Sequence, residues 1–93
     1  MFKAKRVKIK TIKIFIMEIK EFIEHFAEQF DDTELSELKP ETVFHELDEY
    51  SSLIALSIIG MVDEEYGVTL NANEMSAAVT IEDLFNTVKA KAE

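Results

Sequence analysis

The chain has 93 residues, 47% of them hydrophobic, with two glycines, one proline and no cysteine, which allows one small domain with a modest core and excludes disulfide frameworks and thiolate metal sites. So few turn-forming residues suit a helical fold rather than an all-β one, and no apolar run is long enough to cross a bilayer. The net charge of −9 is divided: six basic and no acidic residues precede Met17, whereas four lysines face all nineteen acids after it, a charge of −15, which repels nucleic acid and attracts basic protein partners.

Residues 1–16 differ from the rest. They are rich in Lys and Ile, with the alternating stretch Val7-Lys8-Ile9-Lys10. We read them as a basic leader, a non-native start or tail, and 17–93 as the domain proper. A basic tail for a membrane or an acidic partner is the competing reading. The short apolar part without a small-residue cleavage site does not fit a secretory signal. From Glu18 to Phe30 the spacing predicts a first helix. Ile19, Phe22, Ile23, Phe26, Ala27 and Phe30 share one face and belong to the core.

A long connection, Glu34 to Tyr50, follows. Pro40 interrupts any helix there, and Leu35, Leu38, Val43, Phe44 and Leu47 are expected to pin the loop onto the bundle. A loop of this length in so small a domain is often functional. It delivers the chain to Ser51 and Ser52. Ser51 is a good N-cap, and the second helix is expected to run from Ser52 to Tyr66. Its stripe Ala55, Ile58, Ile59, Val62 and Tyr66 is assigned to the core. Leu53, Leu56 and Gly60, flanked by Ile54 and Met61, form another face. A helix apolar nearly all round is buried on more than one side, so this second face is a candidate docking surface, its alternative being burial under the loop. Gly67 ends the helix. Val68 and Leu70 return to the core, and a short helix is expected over Ala72 to Ala77. Thr80, with Asp83 three residues on, caps a last helix whose core stripe is Ile81, Leu84, Phe85 and Val88.

Ser52 opens a helix whose first N–H groups and dipole favour an anion, above all a phosphate. The residues alone therefore suggest a phosphate-linked group on Ser52. No nucleophilic triad or phosphate-cradling glycine loop is present, so no catalytic residues and no enzyme activity are expected. His45-Glu46 lacks the second histidine of a zinc-protease helix, and Asp31-Asp32-Thr33-Glu34 lacks the spacing and glycine of a calcium loop. No metal is expected. His25, among Glu21, Glu24 and Glu28, reads as a solvated or paired side chain.

From Met17 onward the chain resembles the acyl carrier proteins. The resemblance rests on Leu38-Lys39-Pro40-Glu41-Thr42-Val43-Phe44, on Ser52-Leu53, on Tyr66-Gly67-Val68 and on Thr80-Ile81-Glu82-Asp83-Leu84 in register. It implies an all-α, four-helix bundle of three main helices and one short one, with a long loop between helices 1 and 2. It also implies 4'-phosphopantetheine attached to Ser52 by a separate Mg2+-dependent phosphopantetheinyl transferase (holo-carrier synthase). The arm's terminal thiol would carry acyl groups as thioesters among enzymes of fatty acid or specialised lipid or polyketide synthesis. Two departures from the family's pattern matter. Ser51 stands where an Asp is usual, and Ile54 and Ser57 stand where acids are common early in helix 2. Leu53, Leu56, Ser57, Gly60, Asp63 and Glu64 are the expected docking residues, meeting acyl ligases or synthases with basic docking patches. A cytoplasmic monomer is expected, without stable membrane insertion or nucleic acid. The alternatives are an aminoacyl or D-alanyl carrier and an unmodified small acidic adaptor whose second helix fills a partner's groove.

Overall fold

The computed structural model describes residues 18–92. The leader at 1–16 lies outside the described residues. Among the described residues there are four helices, in order α1 (Ile19–Ala27), α2 (Ser52–Tyr66), α3 (Ala72–Ala77) and α4 (Ile81–Ala92). Two single 3-10 turns, Leu35–Glu37 and Phe44–Glu46, lie in the connection between α1 and α2. The architecture is all-α, a bundle of three main helices and one short helix.

α1 buries Phe22, Ile23 and Phe26. It is shorter than the apolar spacing predicts. After Ala27 the chain tightens, with Gln29 N–H bonding Phe26 O and Phe30 N–H bonding Ala27 O, three-residue closures that end a helix. Phe30 still reaches the core from this turn. The aromatic rings pack as a continuous cluster. Phe22 meets Phe85 edge-on at 5.5 Å and Tyr66 at 5.9 Å, and Phe26 meets Phe44 edge-on at 5.6 Å. Such pairs add about 0.5–1.5 kcal/mol beyond their burial.

α2 starts and stops where the sequence places it. Ser51 Oγ accepts from Ile54 N–H at 3.3 Å, and Gly67 closes the other end at φ 67°, where its N–H bonds Asp63 O. A side chain at Gly67 would strain that left-handed turn. Ile58, Val62 and Tyr66 are buried, while Ala55 and Ile59 pack against the core half-buried. Met61, expected at the flank of the outer face, is buried instead. Its long, flexible side chain folds inward and fills the space between elements.

α3 is capped reciprocally by Asn71 and Glu74, and α4 by Thr80 and Asp83, whose carboxylate accepts from Val79 and Thr80 N–H while Asp83 N–H bonds Thr80 Oγ1. α4 buries Ile81, Leu84, Phe85 and Val88. The long connection closes against the start of α4. Thr42 O accepts from Ile81 N–H (3.1 Å) and Pro40 O from Glu82 N–H (2.9 Å), so loop carbonyls satisfy two of the orphan donors of that helix. An isolated antiparallel bridge joins Val43 to Thr80. Leu38 and Phe44 are buried, and Val43 and Leu47 are half-buried. Leu35 does not anchor the loop as its apolar character predicts. It lies in a 3-10 turn and is 47% exposed.

Candidate functional site

The chain reaches Ser52 through consecutive tight turns. Leu47 N–H bonds Phe44 O, and Tyr50 N–H bonds Leu47 O. Glu49 fixes this stretch from outside. Its carboxylate accepts from the N–H groups of Asp31 (2.6 Å), Asp32 (3.0 Å) and Thr33 (2.9 Å) and from the Thr33 hydroxyl (2.9 Å). Partial shielding from water opposes ionisation of Glu49, but these donors together outweigh it and hold the carboxyl below its ordinary range. The end of α1 and the approach to α2 are thus clasped by one side chain. Sequence reading missed this, because the bonds span 16 to 18 residues and Glu49 resembles any surface acid.

Ser52 is the first residue of α2 and is exposed. The first turn of α2 carries no acid. Ser51 Oγ takes the Ile54 N–H, and the N–H groups of Ser52 and Leu53 have no protein acceptor among the described residues. The hydroxyl therefore stands beside free backbone donors at the positive end of a 15-residue helix, a setting that favours a phosphate ester.

Ser52 also lines an open cavity of about 420 Å³. α2 supplies Ala55, Leu56 and Ile59, α3 supplies Ala72, Met75 and Ser76, and the loop supplies His45 and Tyr50. The Tyr50 ring stands edge-on to Phe44 at 5.4 Å and to His45 at 5.1 Å, and burial pushes its phenol pKa up. His45 Nε2 lies 3.0 Å from both Met75 O and Ala78 O.

The outer side of α2 is bare. Leu53 is 75% exposed and Leu56 63%, so the loop does not bury them. Ser57, Gly60, Asp63 and Glu64 are exposed on the same helix. A methyl group built on Gly60 would meet nothing within 4 Å. His25 is paired, as one of its two expected readings has it. Its ring nitrogens lie 3.8 Å from Glu28 and Glu65 carboxylate oxygens, and the ring stands edge-on to Tyr66. From α1 it faces Glu65 and Tyr66 at the far end of α2, about 20 Å of helix away from Ser52.

A family model described as a phosphopantetheine attachment site matches residues 20–88. No curated protein and no solved structure matches the chain.

Proposed function

Because the chain belongs to the phosphopantetheine-attachment family and its domain is a site of covalent 4'-phosphopantetheine attachment, we propose that Ser52 bears the arm and that the protein carries acyl groups on it as thioesters. The observation that supports this most directly is the setting of Ser52: an exposed hydroxyl on the first residue of α2, beside N–H groups without protein acceptors, lining an open and largely apolar cavity. The phosphodiester would rest near the helix end. The cavity would shelter the chain carried on the thiol. With no cysteine in the sequence, the thiol comes from the arm.

In this reading the protein catalyses nothing. A phosphopantetheinyl transferase loads it, and acyl ligases or synthases charge and discharge it. Carrier domains of this family work with such enzymes. The fatty acid or specialised lipid and polyketide pathways fit an apolar-lined cavity better than an aminoacyl or D-alanyl cargo does. Leu53 and Leu56, with Ser57 and Gly60 between the turns, form the docking face, and Asp63 and Glu64 attract a basic patch further along. A glycine within a helix costs about 1 kcal/mol against alanine. Gly60 lies in open space, so folding gives no reason for it, and close approach of a partner backbone does. No helix among the described residues is long and apolar enough to cross a membrane, and we place the carrier in the cytoplasm, beside the coenzyme A that supplies the arm.

Mass spectrometry tests the reading. Co-expression with a broad-specificity phosphopantetheinyl transferase is expected to add one arm to the wild type and none to Ser52→Ala. A wild type without added mass would overturn it in favour of an unmodified acidic adaptor.

A further inference from the structure

α3 is too short to hold itself in place. A helix of six residues has little stability of its own, and Met75 is the only residue within it that is buried. Its position is set by ties at both ends. At its start, Glu74 caps the first turn, and Lys91 Nζ, from the end of α4, bonds Glu74 Oε1 at 2.7 Å and Thr69 O at 2.6 Å. At its end stands His45. The Met75 and Ala78 carbonyls flank its Nε2 at 3.0 Å each. Both neighbours are acceptors only, so Nε2 carries the proton and donates a forked hydrogen bond. These are two of the carbonyls that a helix C-terminus leaves without intrahelical partners. The ring is held for this task, stacked on Phe44 at 4.3 Å and edge-on to Tyr50 at 5.1 Å.

α3 is also one wall of the cavity beside Ser52, through Ala72, Met75 and Ser76. We propose that His45 is a positioning residue for the cargo: its forked bond latches the end of α3 to the loop, keeps the cavity closed on that side, and so sets how well a carried acyl chain is sheltered. This rests on the reading of Ser52 as the attachment site and of the cavity as the chain's shelter. The loop is continuous with the latch. Its carbonyls at Pro40 and Thr42 already grip the start of α4, so His45 extends a fixed edge onto a helix that has few other ties.

The test uses the full chain with His45→Leu, which removes the donor, and His45→Gln, whose side-chain amide keeps two N–H groups. His45→Ala replaces the leucine variant if the latter crowds Tyr50. In the unmodified protein, amide exchange at Met75 and Ala78 is expected to rise on the order of tenfold in H45L and to return near wild type in H45Q. Unchanged exchange in H45L, or an equal rise across α1, α2 and α4, overturns the latch. In the second arm, the transferase moves octanoyl-4'-phosphopantetheine from octanoyl-coenzyme A to the Ser52 hydroxyl, breaking the pyrophosphate bond and releasing 3',5'-ADP, and hydroxylamine cleavage of the thioester is timed. The wild type is expected to be cleaved more slowly than free octanoyl-pantetheine, H45L several-fold faster than the wild type, and H45Q close to it. H45L cleaved at the wild-type rate overturns the proposal, as does a wild-type thioester cleaved as fast as the free one. Failure to load Ser52 at all overturns the attachment reading instead, and the exchange arm then judges the latch alone.

Discussion

The two halves of α2 have similar apolar content and opposite fates. From Ile58 to Tyr66, the residues Ile58, Met61, Val62 and Tyr66 are buried. From Ser52 to Ser57 none is buried, and Leu53 and Leu56 are largely exposed. Hydrophobicity alone does not distinguish them. The difference lies in what the rest of the chain brings up against each half. α1 and α4 supply an aromatic wall to the second half, while the loop approaches the first half only from the side of His45 and Tyr50. In so small a domain, leaving two leucines in water beside the candidate attachment serine gives up burial that folding would otherwise use. That pattern agrees with the docking face proposed above.

Four experiments would break or sharpen this contrast. The largest effect is expected from truncation. Ile58→Ala should cost about 2–5 kcal/mol in urea unfolding, whereas Leu56→Ala should stay within about 0.5 kcal/mol of the wild type. Equal costs would abolish the distinction between the halves. Next, Leu53→Ala with Leu56→Ala should lower kcat/KM for arm transfer about tenfold, roughly 1.4 kcal/mol, at unchanged melting temperature. An unchanged kcat/KM would move docking elsewhere. Gly60→Ala should raise stability by about 0.5–1 kcal/mol, since the new methyl meets nothing. The same variant should weaken arm transfer if the partner's backbone comes close there.

The smallest effect concerns Glu49. Its carboxyl lies below the 4.5 of an ordinary glutamate. A carboxylate with a depressed folded value stabilises the fold above its unfolded value and loses that contribution as pH falls through the depressed one. Acid titration monitored by circular dichroism should therefore show a shallower loss of stability below about pH 4.5 in Glu49→Gln than in the wild type. Identical slopes would show that the clasp carries no proton linkage.

The limits of α2 were legible because both signals are local: Ser51 caps three residues ahead, and Gly67 supplies the left-handed turn. The Thr80 and Asp83 cap of α4 was readable for the same reason, as was Ser52 as the first residue of α2, whereas the equally local Asn71 and Glu74 box of α3 was passed over. What escaped depends on partners distant in sequence. Met61 sits at the border of two faces, and only the surrounding elements decide which way it turns. Leu35 borders a shallow cleft with Ile19, Ile23 and Leu38 but is left half in water. α1 closes at Ala27, short of the Phe30 end that the stripe predicts, although Phe30 reaches the core as expected. Glu49 and His45 look like ordinary polar loop residues until the backbone groups they grip, 16 to 33 positions away, are brought beside them.

The grip of the loop on α4 has a consequence for synthesis. The carbonyls of Pro40 and Thr42 find their donors in Glu82 and Ile81, about forty residues further along. A ribosome makes these donors well after it has made Ser52. A nascent chain that ends before Thr80 has the serine but lacks the far side of the framework that positions the loop leading to it. The setting of Ser52 is thus completed by residues made about thirty positions after it, and a transferase that reads this setting would distinguish chains that have passed Glu82 from shorter ones.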